Sequence, residues 1–159
     1  VTWFADYVFA KIRERVPDAL FCIVGMRPAP QVSRLAERAG IMVTGSVPDV
    51  RPYLAHAHAA VLPLRIARGI QNKVLEAMAM QLPVIATPGA MTGIQAFPGF
   101  EPAISEDADT LAAAAVRLLG QSRAPITAAR DCVLQRYDWD SNLQRIERLL
   151  ETGRIEPDL

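Results

Sequence analysis

The sequence predicts an α/β domain built on a Rossmann-like, doubly wound and mostly parallel sheet. Three observations carry that prediction. Short apolar runs alternate along the whole chain with stretches at helical spacing. The runs, such as Leu20-Phe21-Cys22-Ile23-Val24, lack the alternation of a strand with one wet face, so they read as strands buried on both faces. They close on Gly25, Gly45, Pro63 and Pro88, which stop a strand and open a loop.

The elements follow in order. Trp3, Phe4, Tyr7, Val8, Ile12 and Val16 recur at helix spacing, and Pro17-Asp18 ends that helix. Ala19 to Val24 is the first strand. Gln31 to Ala39 is a short helix with Gly40 at its C-cap, followed by a strand over Ile41 to Thr44. Val50 to Ala57 is helical, and Ala59 to Leu64 is a strand. Gln71 to Met80 is a helix whose buried stripe includes Leu75, Met78, Ala79 and Leu82. Pro83 to Thr87 is a strand, and Ala103-Ile104 is a shorter one. Helices are expected over Asp107 to Leu119, Ile126 to Arg136 and Ser141 to Glu151, with Asp140 or Ser141 as an N-cap and Trp139 as a core anchor. One domain over residues 1–151 and a frayed tail over 152–159 account for the 159 residues.

Composition narrows the function. Seventeen basic residues balance 17 acidic ones, so no basic excess points to nucleic acid. Tyr7, Tyr53 and Tyr137 form no stacking pattern for single strands. Cys22 and Cys132 belong to no CxxC or Cys/His cluster, which argues against a metal site. Cys22 reads as a small core residue, and the cysteine usage fits a reducing cytosol. His56 and His58, two apart, read as structural. Glu101, Glu106 and Asp107 near the last strand read as solvated loop carboxylates. No signal peptide is visible, and no apolar stretch approaches the roughly 20 residues that span a bilayer.

Ligands of such sheets bind beyond the carboxyl ends of the strands. The segment from Arg65 to Pro88 holds the strongest signal there. Lys73 lies in the first turn of a helix and Arg68 just before it. Cations at that end oppose the helix dipole, which favours anions. Two of them beside free N–H groups point to a phosphate or diphosphate, against the alternative of two solvated surface cations. Glu76 shares a helix face with Lys73. Its carboxylate suits the adjacent hydroxyls of a ribose; the alternative is an ordinary Lys–Glu pair. Gly69 permits a tight turn or a close backbone approach, or is a plain loop glycine.

Val74-Leu75-Glu76-Ala77-Met78-Ala79 followed by Leu82-Pro83-Val84-Ile85-Ala86-Thr87 resembles the signature of family 4 GT-B glycosyltransferases. Gly69-Ile70-Gln71-Asn72-Lys73 is similar to a subgroup tied to exopolysaccharide biosynthesis. Phe21 to Gly25, Gly45 to Val50 with Tyr53-Leu54, and the Ala59 to Pro63 strand match the same family in the same order.

The resemblance implies the C-terminal half of a GT-B fold, which binds a nucleotide sugar, expected to be UDP- or GDP-linked, and needs no metal. Glu76 would hold the ribose hydroxyls. Gly69, Ile70, Gln71 and Asn72 would face the donor sugar and diphosphate with backbone amides, and Lys73 would bind phosphate. Gly25 would let the nucleotide approach its strand, and Val47 and Pro48 would flank the base. The family's domain opens with a central strand, whereas this chain starts on the helix that follows it. That strand and the N-terminal acceptor domain are therefore expected to be missing, and exposed sheet edges invite self-association. Arg68 stands where many members carry a second glutamate associated with the donor sugar. Arg27 and Arg65 do not match the basic pair that grips the diphosphate.

The expected activity is hexosyl transfer with retention to a glycan or lipid-linked acceptor, by a cytoplasmic protein peripheral to the inner membrane. These residues alone are expected to be inactive, and they include no evident nucleophile or general base. Two alternatives stand beside it. A sugar-nucleotide epimerase uses the same fold, and a non-catalytic nucleotide-binding module would explain Arg68. A receiver domain is a poor fit, because no aspartate ends a strand; a dehydrogenase is another, because Gly25-Met26-Arg27-Pro28 is no GxGxxG.

Overall fold

The computed structural model describes residues 1–152; the tail expected beyond them lies outside the described residues. The elements alternate as predicted. Helix α1 winds as a π-helix over Phe4–Phe9 and as an α-helix over Ala10–Arg15. Strand β1 is Phe21–Val24. Helix α2, Pro30–Ser33, runs on as a 3-10 helix over Arg34–Glu37. Then come β2 (Ile41–Gly45), α3 (Arg51–His56), β3 (Ala60–Leu62), α4 (Asn72–Ala79) and β4 (Val84–Ala86). A 3-10 turn at Pro88–Met91 precedes β5 (Ala103–Ile104), α5 (Ala108–Leu119), α6 (Thr127–Arg136) and α7 (Trp139–Thr152).

All strand pairings are parallel, and they fall into two sheets. β1 pairs with β2, and β3, β4 and β5 pair in that order. Among the described residues no ladder joins β1 to β3, so each carries an unpaired edge. Successive side chains of a strand point to opposite faces. Val61 and Ile85 join one core cluster with α1, α5 and the β1–β2 sheet, and Leu62, Val84 and Ala86 join another with α4 and α6. The three-stranded sheet is thus covered on both faces.

Position in a sheet decides burial. β4 has a strand on each side and is fully buried, whereas β1 has one neighbour and is half-buried throughout. This corrects the expectation that β1 is buried on both faces. Phe21 and Ile23 face the core, but Cys22 sits in register with Met42, which is 49% exposed. Cys22 is therefore half-buried rather than a core residue, and that partial burial raises its thiol pKa.

Three local differences have physical causes. The π-winding of α1 buries Phe4, Ala5, Val8, Phe9 and Ile12, which repeat at four- and five-residue spacing; Tyr7 turns to solvent at 59% exposure. The helix before β2 stops at Glu37, and Gly40 is a left-handed residue at φ 79° in the turn beyond. Helix α7 begins at Trp139, so Asp140 and Ser141 lie inside it rather than capping it. By contrast, Asp107 caps α5, accepting from the Thr110 hydroxyl at 2.7 Å and from its N–H at 2.8 Å; these bonds hold its carboxyl below the usual range.

Helix α4 ends in a Schellman motif. Leu82 N–H donates to Ala77 O and Gln81 N–H to Met78 O, both at 2.9 Å. Gln81 takes the left-handed position at φ 59°, where glycine is usual. The turn drops Leu82 into the core at 0% exposure and aims the chain into β4.

Candidate donor-binding site

The site is built from the way α4 divides its residues. Val74, Ala77 and Met78 are fully buried. They sit at positions i, i+3 and i+4 and anchor one face to the sheet. Asn72, Lys73 and Glu76 consequently share the solvent face. Val74 and Ala77 head the buried stripe, while Leu75 and Ala79 are only half-buried, a correction of its register.

The amino end of α4 is open. Gln71 occupies the N-cap with extended backbone and gives no side-chain cap. Its carbonyl accepts from Val74 N–H at 2.9 Å, while Asn72 and Lys73 N–H find no acceptor among the described residues. No acidic residue lies in the first turn. No ion pair joins Lys73 to Glu76 among the described residues, so the ordinary Lys–Glu pair is not formed. Both side chains are exposed. Two free N–H groups and a cation at the positive end of a helix are arranged for an anion.

The loop from Arg65 to Gln71 leads into this end. Gly69 adopts φ 69°, and a Cβ there would have nothing within 4 Å, so glycine serves the backbone rather than a contact. The Gln71 side-chain amide donates to Gly69 O at 3.0 Å and Arg68 O at 3.3 Å, closing the loop on itself. Gln71 is therefore a staple of the loop, in addition to the backbone role expected of it. Ile70 is 47% exposed, and a Cβ on Gly93 would come within 3.0 Å of its Cγ1. Arg68 is exposed. The Arg65 guanidinium stands 5.8 Å from the Trp3 ring centroid, which puts the loop after β3 beside the N-cap of α1.

Gly25, Val47 and Pro48 follow β1 and β2, on the other sheet from Arg68–Glu76. Gly25 is exposed, with nothing within 4 Å of a Cβ, so no neighbour in the fold demands glycine there. Val47 is half-buried and Pro48 exposed. Asp49 shapes the turn after them. It accepts from Arg51 N–H at 2.9 Å and Arg51 Nε at 3.0 Å, and these bonds hold its carboxyl below the usual range.

Other candidates resolve plainly. His56 Nδ1 meets Pro52 O at 2.7 Å, one turn back in its own helix, a structural contact. Among the described residues no group of three or more His, Cys, Asp or Glu gathers as a metal site. No described helix is long and apolar enough to cross a membrane. A cleft of about 430 Å³ lies under the loop after β4, between Met78, Ile94, Phe97 and Tyr137, on the side of α4 away from Lys73 and Glu76.

Residues that sequence reasoning missed grip the loop from β4. Thr87 is 1% exposed and donates its hydroxyl to Leu64 O at 2.6 Å. A Cβ on Gly89 would meet Leu64 O at 2.7 Å. Thr87 closes an apolar run in the sequence, but nothing there shows where its hydroxyl points.

An open helix end beside a glycine loop, at the carboxyl end of a parallel strand, is where doubly wound α/β domains take their ligands. The family is narrower. The model for glycosyl transferases group 1 matches residues 1–121, and the chain belongs to that family. Solved structures show the same fold. An S. aureus TarM mutant in complex with fondaparinux, alpha-GlcNAc-glycerol and UDP aligns over 95% of this chain and 32% of its own, with TM-score 0.75 and 15% identity. A glycosyltransferase from Rickettsia africae aligns over 96% and 46%, with TM-score 0.73 and 19% identity. Anabaena HepE in complex with UDP and glucose aligns over 90% and 44%, with TM-score 0.67 and 17% identity. The chain thus spans less than half the length of each of these, as one half of a GT-B fold does. No curated protein matches the chain in sequence.

Proposed function

We propose that this chain is the donor-binding half of a retaining family 4 glycosyltransferase that moves a hexosyl group from a UDP- or GDP-linked sugar to a glycan or lipid-linked acceptor. The observation that carries the reading is the uncapped start of α4, with Asn72 and Lys73 N–H finding no acceptor among the described residues and Lys73 and Glu76 exposed on one face. When the bond from sugar to diphosphate breaks, negative charge grows on the leaving oxygen. Preorganised N–H groups and a lysine at a helix start stabilise that charge. Glu76, one turn further on, accepts from the ribose hydroxyls. Arg68, Gly69 and Ile70 face the sugar, and Gly25, Val47 and Pro48 take the base. The Gly69–Lys73 segment supports a role in exopolysaccharide synthesis, on the cytoplasmic side of the inner membrane.

In this reading the acceptor half and the remaining catalytic groups lie outside the 159 residues, which alone transfer no sugar. Sugar transfer by these residues alone would sink that part. The unpaired edges of β1 and β3 are the places for a further strand or for self-association, which sedimentation velocity reads directly.

Calorimetric titration of the full-length protein with UDP, GDP and ADP, and with the matching nucleosides, tests the core of the proposal. One diphosphate is expected to bind at least about tenfold more tightly than its nucleoside, and Lys73→Ala to remove most of that difference, since a charge-assisted bond contributes ~1.5–3 kcal/mol. Equal binding of nucleoside and diphosphate, or none by the full-length protein, overturns it.

A further inference from the structure

Among the described residues Thr87 is the one polar residue of the buried core, at 1% exposure. It stands at the N-cap of the 3-10 turn, with extended backbone at φ −83° and ψ 158°. A threonine there ordinarily turns its oxygen to the free N–H groups of its own helix. This one makes no such cap bond. Its hydroxyl instead crosses to the neighbouring strand's exit and donates to Leu64 O at 2.6 Å. Its backbone N–H donates to Leu62 O at 3.2 Å, which carries the β3–β4 ladder one residue past β4. Thr87 thus fixes two carbonyls on the path by which the chain leaves β3 for the loop.

Gly89 reinforces the same point from one turn on. A Cβ there would lie 2.7 Å from Leu64 O, too close to backbone that cannot rotate away, and in ordinary contact with Arg65 O at 3.5 Å. The 3-10 turn therefore lies flat against the Leu64–Arg65 peptide. Further along, Gly93 leaves room for Ile70, 3.0 Å from where its Cβ would be. The segment after β4 is the floor on which the Arg65–Gln71 loop rests.

We propose that Thr87 is a positioning residue: through Leu64 it sets where the Arg65–Gln71 loop holds its backbone as it enters α4. The proposal deepens the donor-half reading and rests on it for its consequence in binding. Its structural content is independent, because loop mobility can be read without nucleotide.

The experiment compares wild type, Thr87→Val, Thr87→Ser and Gly89→Ala in the full-length protein. The first readout is native-state tryptic cleavage after Arg65 and Arg68, with cleavage after Arg34 and Arg38, in the helical segment before β2, as the control. Loss of this hydrogen bond is expected to raise loop cleavage about tenfold in Thr87→Val while leaving the control sites unchanged. Thr87→Ser keeps the hydroxyl and should stay near wild type, and Gly89→Ala should behave like Thr87→Val. The second readout is UDP and GDP affinity, expected to weaken about tenfold in Thr87→Val and to return in Thr87→Ser.

Unchanged loop cleavage in Thr87→Val, an equal rise at the control sites, or a serine variant behaving like valine each overturns the proposal. If Thr87→Val does not fold, Gly89→Ala decides: loop cleavage at the wild-type rate overturns the proposal. If wild type binds neither UDP nor GDP, the donor-half reading fails, while the cleavage pattern still judges Thr87.

Discussion

Glu76→Ala is expected to weaken binding of the preferred nucleoside diphosphate by roughly 10- to 100-fold, the loss of hydrogen bonds to a charged group at ~1.5–3 kcal/mol. Glu76 lies on the exposed face of α4, without a salt bridge to Lys73. Alanine favours a helix, so the fold has little to lose and the melting temperature should hold. That separates recognition from stability. A second arm assigns the loss to the ribose. Replacing UDP or GDP by its 2′-deoxy analogue should cost wild type much of the same affinity and cost Glu76→Ala almost nothing, because coupled groups are not additive. Calorimetry on the full-length protein measures all four corners. Equal losses from the deoxy analogue in both proteins would show that Glu76 does not read the diol.

The parts of this site that could be read from sequence are those fixed by local spacing. Lys73 and Glu76 share a face because they are three apart on a helix, and the buried Val74, Ala77 and Met78 force that face outward. The parallel strands were legible because β3 and β4 are apolar on both faces, as a sheet covered by helices requires. What could not be read depends on partners distant in sequence. The Thr87 hydroxyl spans 23 residues to reach Leu64 O. Cys22 has an apolar neighbourhood in sequence, yet β1 has one neighbouring strand and faces the core on one side, so the thiol is only half-buried. Tyr7 fits an α-helical stripe and misses a π-helical one. The expected roles of Gly25, Val47 and Pro48 came from resemblance, and the fold itself gives no packing reason for a glycine at position 25.

Phe4→Ala is expected to cost ~3–5 kcal/mol, the usual range for emptying a buried aromatic site. That is a large share of the ~5–15 kcal/mol that holds a domain folded. The position is more than a large buried ring. No ladder joins the β1–β2 sheet to the β3–β4–β5 sheet among the described residues, so side-chain packing has to couple them. Phe4 is 1% exposed and sits 5.0 Å from the Phe21 ring on β1, in a cluster that also holds Ile85 of β4. Helix α1 packs on α5, which packs on β4 and β5. Leu82, 0% exposed, is the proper contrast, because its cluster belongs to the three-stranded sheet with α4 and α6. Leu82→Ala should cost ~2–5 kcal/mol in urea unfolding, comparable in size. Only Phe4→Ala should also loosen nucleotide binding under conditions where both variants remain folded. The proposed base contacts, Val47 and Pro48, and the proposed ribose and phosphate contacts, Glu76 and Lys73, then stand on halves that no longer keep a fixed spacing. Equal nucleotide affinity in the two variants would mean that the sheets are coupled by something other than this core.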